Sequence, residues 1–591
     1  MRWNFRAAFT ASGLASLIVG SALALPQGFV DEAIVGNLDH VVGVAFGPDG
    51  RAFIWEKGGK VWTVENGVKS ATPLIDISSE VRNFADYGML GLALDPAFAA
   101  NGRIYLLYGV DYYDLVNMGL PGYNPAGSQS QRDSIGRITR YTLNAADGFH
   151  SVVAGSRKVL LGESPSTGFP MIYQSHGVGM LAFGLDGSLF AGSGDSASFI
   201  EVDTGGPRNG STNTALADGI ITPKEDIGAF RAQLVDSLAG KIIRIDPETG
   251  DGVAGNPFFD AGAPRAARSR VWAMGFRNPY RFSVMPGSAT QSNSAGVLYV
   301  GDVGYESHEE LDVIKQGGVN AGWPFFEGLS NTPGYATVTP PMNLDAPNPL
   351  ANGGSCAAYF NFRNMIIQDS LNAPYWANPC NPFQEIPASL PRFRHLRPIL
   401  DWGHGGKTHA RTYNGNAPSQ VDVTSPGSPV PGYEIPGSCA IGGDWCTGTR
   451  FGPVYKDTYF AGDFTGNQLF NVVVDANHAP LEVRFFTNPV QPPVFIKFNP
   501  QDGCLYYLGY SYSTPTGTLR RIRKLPCAAD LNGDGQVDDN DFSPFVGAYN
   551  TLDCFDPAMP IDCPADFNSD AFVDDADFVI FVAAYDNLLC N

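Results

Sequence analysis

A short unit recurs between residues 26 and 525: an apolar strand, a turn that ends in Asp-Gly or Asn-Gly, and a second apolar strand. Clear copies begin at Val44 (VAFGPDGRAFIWE), Leu181 (LAFGLDGSLFAGS) and Ile496 (IKFNPQDGCLYYLG), and weaker copies begin at Leu92 and Phe282. Such dipeptides between alternating strands are strong hairpin signals, because Gly and Asn accept the positive φ angles of tight turns. Hairpins recurring over this length, with few helical patterns, predict the blades of a β-propeller. A large array of β-sandwiches is the alternative.

Composition supports an all-β fold for residues 25–525. The chain contains 69 Gly, 44 Pro and 12% aromatic residues but only 16% charged residues, a balance typical of short strands joined by tight turns. About six blades of roughly 80 residues each account for this length, so we predict a six-bladed β-propeller. The net charge of −21 argues against nucleic acid as a partner, because phosphate recognition requires a basic surface.

Residues 1–24 are predicted to be a signal peptide. Arg2 and Arg6 precede an apolar stretch that ends in Ala22-Leu23-Ala24, which is the order of a secretory signal and its cleavage site. An uncleaved membrane anchor is the alternative. No later stretch approaches the roughly 18 apolar residues that a spanning helix needs. We therefore expect an exported protein, secreted, periplasmic or at the cell surface, without a membrane span after cleavage.

The nine cysteines agree with export, because disulfides persist in oxidising compartments. None forms a Cys-x₂-Cys pair, which disfavours a zinc site of that type. Cys356 with Cys380, and Cys439 with Cys446, are candidate disulfides across short loops. The odd total leaves at least one thiol unpaired, and Cys504 is the candidate. The remaining connectivity is open.

Residues 526–591 form a second predicted unit, which repeats with a period of 36 residues. Each copy offers oxygen side chains at positions 1, 3, 5, 9 and 12 of a 12-residue loop, and position 7 offers its backbone carbonyl. The predicted ligands are Asp530, Asn532, Asp534, Gln536, Asp538 and Asp541 in the first loop, and Asp566, Asn568, Asp570, Phe572, Asp574 and Asp577 in the second. This is the spacing of an EF-hand-type loop, whose oxygen ligands suit Ca²⁺.

Each loop leads into a predicted amphipathic helix. Apolar residues recur at i, i+3, i+4 and i+7 from Phe542 and from Phe578, which indicates one buried face per helix. Aspartate at position 12 resembles the dockerin type I repeat, and this resemblance implies calcium-dependent folding and attachment to a cohesin-like or cell-surface partner. Ala571 replaces the turn glycine of the second loop and disfavours the positive φ expected there. An acidic, disordered tail is the alternative.

Several blocks of the first unit occur together in a fixed order. They are YGMLGLALDPAF (87–98), SHGVGMLAFGLDGSLFAGSGD (175–195), VWAMGFRNPYRFSVMP (271–286), LYVGDVGYESHEELDVIKQGGVNAGWPFFEG (298–328) and GGDWCTGTRFGPVYKDTYFAGDFTGNQLF (442–470). Together they resemble the glucose/sorbosone dehydrogenase family, which includes soluble PQQ-dependent aldose dehydrogenases and the propeller of hedgehog-interacting proteins. The resemblance covers roughly residues 28–525 and implies six blades.

The resemblance also implies roles for individual residues. His176 would be the general base that takes the proton of the sugar C1 hydroxyl while hydride passes to the quinone, and histidine suits this task because its pKa lies near working pH. Arg277 and Asn278 would hold oxygens of PQQ. The carbonyls of Gly304 and Tyr305 would bind the cofactor's Ca²⁺. The remaining implied cofactor contacts are Asp86, Glu309 and Arg450, the last in place of a lysine.

Two features depart from the family pattern. Ser175 precedes the histidine where the sugar dehydrogenases have aspartate, and Gly466, Asn467 and Gln468 occupy the segment where a basic residue would grip the cofactor. Because PQQ carries three carboxylates, the loss of a cation is expected to weaken its binding.

The sequence therefore predicts a secreted oxidoreductase that uses PQQ and Ca²⁺ to oxidise aldose sugars at C1 to lactones. A small α-helical, dockerin-like calcium-binding domain follows the propeller. The alternative is a non-catalytic propeller that binds glycan or protein and is assembled on the cell surface through the tail. The absence of a basic residue at positions 466–468 leaves both functions open.

Overall fold

The computed structural model describes residues 25–26, 29–206, 214–510, 516–525, 528–532, 536–560, 563–568 and 570–586. The predicted signal peptide lies outside these residues, and so does Asp534 of the first predicted calcium loop. None of the helices in the described ranges combines the length and apolar character that a membrane crossing requires.

Strand β1 (Phe29–Asp39) precedes the first three blades. Blade 1 contains β2 (Val41–Phe46), β3 (Ala52–Glu56), β4 (Lys60–Glu65), β5 (Val68–Lys69) and β6 (Ile75–Asp76). Blade 2 contains β7 (Met89–Leu94), β8 (Arg103–Gly109), β9 (Ser134–Thr142), β10 (Lys158–Leu161) and β11 (Phe169–Met171). Blade 3 contains β12 (Val178–Phe183), β13 (Leu189–Ser193), β14 (Lys241–Ile245) and β15 (Val271–Met274).

Blade 4 is interrupted by a long insertion. It begins with β16 (Pro279–Val284), β17 (Leu298–Asp302) and β18 (His308–Ile314). The insertion contains β19 (Val319–Asn320), which joins blade 3 in parallel with β15, and then β20 (Phe326–Glu327), β21 (Ser330–Asn331), β22 (Met342–Pro347), β23 (Tyr359–Asn361), β24 (Ile366–Ile367), β25 (Ala377–Asn378), β26 (Asn381–Glu385) and β27 (Phe393–Arg394). Blade 4 resumes with β28 (Leu400–Gly403), β29 (Thr408–Asn414) and β30 (Ala417–Asp422).

The last two blades complete the ring. Blade 5 contains β31 (Ala440–Cys446), β32 (Thr458–Asp463), β33 (Gln468–Val474) and β34 (Pro480–Thr487). Blade 6 contains β35 (Pro493–Phe498), β36 (Leu505–Gly509) and β37 (Thr516–Lys524). The inner strands β2, β7, β12, β16, β31 and β35 contact one another in this order, and β35 returns to β2. The predicted six-bladed propeller is confirmed.

The predicted hairpins form the inner edges of three blades. The copies from Val44, Leu181 and Ile496 become β2–β3, β12–β13 and β35–β36. Each turn contains a glycine at positive φ, namely Gly50 at 83°, Gly187 at 80° and Gly503 at 65°, a region that other residues enter at a cost. The turn chemistry in the sequence therefore determines where each blade begins.

Pairing of the two ends of the propeller closes the ring. Strand β1 adds to blade 6 as an antiparallel neighbour of β37, with Phe29 opposite Lys524. Glu32 on β1 forms ion pairs with Arg521 and Arg523 on β37, and these pairs lower the pKa of Glu32 to about 2. The closure leaves blades 1 and 6 without a gap between them.

The structure tests the two predicted disulfides. Cys356 and Cys380 are bonded, as predicted. The prediction for Cys439 and Cys446 is wrong, and both are free thiols, as is Cys504. The reason is that strand β31 separates them: seven residues of extended chain at about 3.3 Å each place the two Cα atoms far beyond the reach of a disulfide.

Short helices lie between strands, and two longer helices lie in the tail. The short α-helices are α1 (Phe98–Asn101), α2 (Tyr112–Asn117) and α3 (Ala267–Arg270), and the 3₁₀ helices are Ala145–Asp147, Pro165–Thr167, Pro223–Glu225, Gly228–Gln233, Tyr335–Thr337 and Phe362–Met365. The tail contains α4 (Asp539–Thr551) and α5 (Asp575–Asp586), at the positions predicted. Phe545 and Phe581 are buried between them, whereas Phe542 and Phe578 remain more than a third exposed. A disulfide joins Cys554 to Cys563.

Candidate active site

A cavity of about 660 Å³ lies where the inner strands of all six blades begin. Each inner strand contributes a residue from its first two positions; these are Val42, Leu90, Val178, Tyr280, Ile441 and Val494. The loops before these strands supply many of the polar lining residues, among them Asp86, Ser175, His176, Arg277, Asn278 and Ser438. Residues distant in sequence meet here because a propeller gathers its strand starts around one axis.

His176 lies in the cavity wall, two residues before β12, and is only 5% exposed. Its φ angle of 54° falls in the left-handed region, which non-glycine residues seldom adopt and which recurs at functional sites. Its Nδ1 lies 2.8 Å from Oδ1 of Asp195. The β12–β13 hairpin pairs Val178 with Ser193, so it brings these two flanking residues together.

Asp195 is fully buried and accepts hydrogen bonds on both oxygens. Besides His176, the backbone N–H of Ala197 donates to Oδ1 at 3.0 Å and the indole Nε1 of Trp323 donates to Oδ2 at 2.7 Å. Burial alone would raise the pKa of Asp195, but the favourable interactions, chiefly with His176, outweigh it and keep this pKa below its usual value. Because an ionised carboxylate only accepts, Nδ1 of His176 carries the ring proton and Nε2 has a free lone pair.

The surroundings of His176 keep its ring neutral. Burial lowers the pKa of His176, and the positive charge of Arg277 lowers it further, while the carboxylates of Asp195 and Asp86 act in the opposite direction without reversing the shift. The Nε2 atom is therefore unprotonated at neutral pH and can accept a proton from a bound hydroxyl group.

Arg277 and Asn278 occupy the loop between β15 and β16. The buried carboxylate of Asp302 accepts the backbone N–H groups of both, at 3.0 and 2.6 Å, and burial raises the pKa of Asp302 to about 7. The Arg277 guanidinium donates from Nη1 to the carbonyls of Val303 and Gly304, while its Nε is buried without a hydrogen-bond partner among the described residues. Both N–H groups of Nη2 donate to none of the described residues, so they remain available for a bound anion.

Gly304 and Tyr305 follow strand β17 at the cavity edge. A side chain at position 304 would collide with the carbonyl of His308, since an added Cβ would lie 1.8 Å from that oxygen. The backbone N–H of Tyr305 donates to Glu327, which fixes the turn. The Gly304 carbonyl presently accepts from Arg277, so a cation at this oxygen would replace one positively charged neighbour with another.

Asp86 and Lys57 also line the cavity. Ser175 donates from Oγ to Oδ2 of Asp86 at 2.7 Å, so the residue before the base contacts a carboxylate rather than being one. Lys57, which sequence reasoning missed, lines the cavity and donates from Nζ to Oδ1 of Asn83 at 2.8 Å. Burial lowers the pKa of Lys57 to about 8, with Asp86 acting in the opposite direction.

Glu309 does not line the cavity, so its predicted contact with a cofactor is not supported. Its carboxylate is fully buried below the floor, where it lies 2.8 Å from Nε2 of His404 and accepts the backbone N–H of Ala440 at 2.7 Å. His404 does line the cavity, and its hydrogen bond to Glu309 raises the pKa of His404 above the ordinary value. Glu309 therefore supports a second cavity histidine, which the sequence reasoning did not identify.

Arg450 lies away from the cavity, contrary to its predicted place beside the cofactor. It is exposed and contacts the turn at Gly503. The reason is the direction of β31, which begins at the cavity and ends at Cys446, so residues after it lie at the opposite end of blade 5.

The segment that lacks the predicted basic residue makes structural contacts instead. Asn467 donates to the carbonyl of Pro489, and Gln468 donates to the hydroxyl of Tyr433. Phe464 is the residue of this turn that lines the cavity.

In the described parts of both tail loops, the aspartate at position 12 is buried and accepts backbone N–H groups. Asp541 and Asp577, at position 12, are fully buried. Asp541 accepts the N–H groups of Asn532 and Asp538, and Asp577 accepts those of Phe567, Asn568 and Asp574. Oxygens of Asp566, Asp570 and Asp577 lie within 4.8 Å of one another. Ala571 adopts a φ of 72°, the strained conformation anticipated at that position.

Other predicted tail ligands contribute local contacts. The Asp538 side chain accepts from Asn540 and caps α4, Asp574 accepts from Ala576, and the Asn568 carbonyl oxygen accepts from the N–H of Asp570. Asp530, Asn532 and Gln536 lie in the described part of the first loop and have interactions of their own. Phe572, at position 7, has a side chain about half exposed.

Comparison with known proteins gives a family match and several relatives. Residues 38–343 match the model of the glucose/sorbosone dehydrogenase family. The HIPL2 protein of Arabidopsis thaliana is 27% identical over 318 residues, which cover 48% of this chain and 40% of that protein. An uncharacterized protein of Synechocystis is 27% identical over 317 residues, covering 52% of this chain and 61% of that one. The chain thus spans less than two thirds of these curated relatives.

Two solved structures align with this chain at low sequence identity. The PQQ-bound form of aldose sugar dehydrogenase from Streptomyces coelicolor aligns with a TM-score of 0.44 and 17% identity, over 85% of this chain and 99% of that one. The apo form of the soluble aldose sugar dehydrogenase from Escherichia coli aligns with a TM-score of 0.47 and 19% identity, over 84% and 99% of the two chains.

Proposed function

The chain belongs to the glucose/sorbosone dehydrogenase family, and we propose that it is an exported oxidoreductase that uses PQQ and Ca²⁺ to oxidise aldose sugars at C1. The observation that carries this proposal is the juxtaposition in one cavity of a buried, neutral histidine held by Asp195 and a set of cationic donors. The reaction requires a base that takes the proton of the substrate and, beside it, donors that bind the carboxylates of the oxidant. The cavity provides both.

The donor set of the cavity suits PQQ, which carries three carboxylates. Arg277 presents the Nη2 group of its guanidinium, which donates to none of the described residues, and Asn278 lies next to it. Lys57 adds a cationic donor from blade 1, and His404 adds an imidazole whose pKa is raised by its hydrogen bond to Glu309. The carbonyls of Gly304 and Tyr305 would hold the Ca²⁺, a cation that prefers oxygen ligands. When bound, PQQ with its Ca²⁺ supplies the two-electron acceptor for the hydride of the sugar.

The residues of this chain would prepare the sugar for oxidation. Nε2 of His176 accepts the proton of the C1 hydroxyl, and Asp195 stabilises the imidazolium that results, because its carboxylate already accepts from Nδ1. Phe199, Phe464 and Tyr510 line the cavity and offer apolar surface to a sugar ring while reducing the access of water.

A non-catalytic role in glycan or protein binding is the second candidate. It is favoured by one observation: the turn that should carry a late basic residue presents Phe464 to the cavity instead. In our proposal Lys57 and His404 compensate for this missing charge. The effect of replacing them on PQQ affinity therefore distinguishes the oxidoreductase from a non-catalytic binding protein.

Reconstitution tests the proposal directly. The purified chain is incubated with PQQ and Ca²⁺, binding is followed by quenching of protein fluorescence, and activity is measured as reduction of a redox dye with a panel of aldoses. We expect saturable PQQ binding that depends on Ca²⁺, together with sugar-dependent dye reduction. Absence of both would contradict the proposal, while PQQ binding without turnover would restrict it to cofactor binding.

Replacing Lys57 by methionine is expected to weaken PQQ binding about tenfold or more, because a charge-assisted hydrogen bond to a carboxylate contributes about 1.5–3 kcal/mol. With the Lys57 pKa at about 8, the wild-type affinity should also fall as pH rises above that value, since the ammonium loses its proton. Fluorescence titrations from pH 7 to 9 measure both effects.

Lys60→Met is the matched control, since Lys60 begins strand β4 nearby and does not line the cavity. We expect wild-type affinity and wild-type pH dependence for this variant. Equal affinities for the Lys57 variant and its control would remove Lys57 from the site.

For the tail we propose a calcium-dependent, dockerin-like module that attaches the exported protein to a cohesin-like or cell-surface partner. The support is the repeated ligand spacing, the buried position-12 aspartates and the convergence of three carboxylates in the second loop. Carboxylates this close repel one another unless a cation or protons neutralise them.

Chelation is expected to open the tail. At a Ca²⁺ concentration about 100 times the Kd, the open population and its cleavage rate should fall about 100-fold relative to the chelated protein. Limited proteolysis of the full chain, read by mass spectrometry, measures this ratio. Asp577→Ala should abolish most of the calcium protection, whereas Asp586→Asn, at the end of the same helix, should preserve it. Equal cleavage with and without Ca²⁺ would refute the calcium role.

A further inference from the structure

The outer half of blade 4 carries a cluster of metal-ligating side chains that the proposed reaction does not use. Strand β28 lies between β18 and β29, with Glu310 opposite Asp401 and Asp401 opposite His409. His308 lies two residues before Glu310 on β18 and therefore projects from the same face of the sheet. One ligand atom from each of His308, Asp401 and His409 lies within 4.8 Å of the other two.

The cluster combines one distance of hydrogen-bond length with one that is too long for a hydrogen bond. Nδ1 of His409 lies 2.9 Å from Oδ1 of Asp401, and Nε2 of His308 lies 3.9 Å from the same oxygen. Ligands about 2.0–2.1 Å from a tetrahedral zinc ion are about 3.3 Å apart, a value that these two distances bracket. The longer distance exceeds that of a hydrogen bond.

The hydrogen-bonding environment of His308 is the second indication of a metal site. Its Nε2, the nitrogen that faces the other two groups, lies 3.9 Å from Oδ1 of Asp401, beyond hydrogen-bond distance, and has no other hydrogen-bond partner among the described residues. An ion pair between His409 and Asp401 therefore accounts for two of the three groups and leaves His308 unexplained. A cation bound between the two histidines and Asp401 accounts for all three.

We propose that His308, Asp401 and His409 bind a divalent first-row transition ion of the zinc type. Imidazole and carboxylate are ligands of this class of ion, whereas Ca²⁺ selects oxygen alone. The side chains of His308, Asp401 and His409 are 19, 8 and 18% exposed, so the site is partly enclosed but open to entry from solvent. Three protein ligands leave a fourth position for water.

The proposed ion would link strand β18, which precedes the long insertion, to strands β28 and β29, which follow it. Strands β18 and β28 are adjacent in space but are separated in sequence by residues 315–399. Joining His308 to Asp401 and His409 closes this loop through a metal, and cross-links that close long loops restrict the unfolded chain most. The site would thus stabilise the folded blade.

Cobalt is the probe for the test, because its visible d–d absorption reports coordination geometry. The full chain is stripped with chelator, returned to excess Ca²⁺ to fill the oxygen sites, and titrated with Co²⁺ and then with Zn²⁺. We expect one Co²⁺ per chain with tetrahedral-type absorption, displacement by Zn²⁺, and a higher melting temperature with either ion. Absence of this absorption in the wild-type chain overturns the proposal without reference to any variant.

Substitutions assign the ligands. His308→Ala and His409→Ala should each weaken Co²⁺ binding by more than tenfold, because loss of a direct ligand exceeds the roughly 10–100-fold cost of losing an outer partner. His150→Ala is the matched control, since His150 is an exposed histidine that pairs with Glu65 and belongs to none of the metal-ligating clusters among the described residues. Wild-type Co²⁺ spectra in both ligand variants, or an equal loss in the His150 variant, would overturn the assignment. Melting curves in Ca²⁺ alone verify that each variant folds.

Discussion

Replacing His176 by alanine is expected to lower kcat for aldose oxidation by about 10²–10⁴-fold, the usual contribution of a positioned general base. The reason is that Nε2 of His176 is the unprotonated imidazole nitrogen held by a buried carboxylate at the cavity. PQQ affinity should change little, because the cationic donors Arg277 and Lys57 remain. Dye-linked steady-state kinetics measures kcat, and fluorescence titration measures cofactor binding.

The pH profile gives this prediction a second readout. Burial and the charge of Arg277 hold the pKa of His176 below the ordinary histidine value of about 6.5, so the base stays deprotonated as pH falls through that value. We therefore expect wild-type kcat to persist below pH 6.5 and to decline only at more acidic pH. The His176 variant should lose this acidic limb.

His478→Ala serves as the control for the base. This histidine is half-buried, pairs with the hydroxyl of Tyr299 and does not line the cavity, so its variant should keep wild-type kcat. A His176→Ala protein with unchanged kcat would remove His176 from the reaction even if PQQ still bound.

The fold could be predicted from the sequence where its signals are local. The Asp-Gly turns at Gly50 and Gly187 specify hairpins of neighbouring residues, and the structure contains both as the inner edges of blades. The closure of the ring by β1 and β37 was not predicted, because it pairs Phe29 with Lys524 and no short-range pattern encodes so distant a partner.

The site was predictable only where a family motif carried it. His176, Arg277, Asn278 and Gly304 came from motif blocks, and the structure gathers them around one cavity. Lys57 and His404 belong to no such block. Lys57 follows strand β3, before the first block, and His404 follows strand β28, beyond the long insertion, so only the tertiary structure identifies them. Glu309 was assigned to the cofactor, but strand alternation turns it into the blade, where it contacts His404.

Asp195 was not predicted as a site residue, although the sequence contains a signal for its position. An antiparallel hairpin that pairs Val178 with Ser193 must also bring position 176 near position 195. The quoted block ends in this aspartate. The pairing shifts by one residue between Leu181 and Val178, so the sequence alone indicates a partner at position 195 or 196 without deciding between them.

Replacing Asp195 by asparagine is expected to lower kcat by an amount on the order of 10²–10⁴-fold, although Asp195 acts through His176 and not on the sugar. Both oxygens of Asp195 now accept, one from His176 and Ala197 and the other from Trp323. Asparagine has a single acceptor, so its amide NH₂ must face either the Trp323 indole N–H or Nδ1 of His176. The second orientation moves the ring proton to Nε2 and removes the base.

Kinetics over pH distinguish this positioning role from a loss of structure. Without the carboxylate the pKa of His176 falls further, since Asp195 now raises it, so the residual activity should have its acidic limb displaced to lower pH while PQQ affinity is retained. Asp186→Asn is the matched control, because Asp186 lies in the turn of the same hairpin, away from the cavity, and accepts from Ser188. An Asp195→Asn protein with wild-type kcat would mean that the tautomer of His176 is set by another contact. Equal losses of kcat in both variants would instead indicate that the hairpin as a whole, and not the carboxylate, is what the reaction requires.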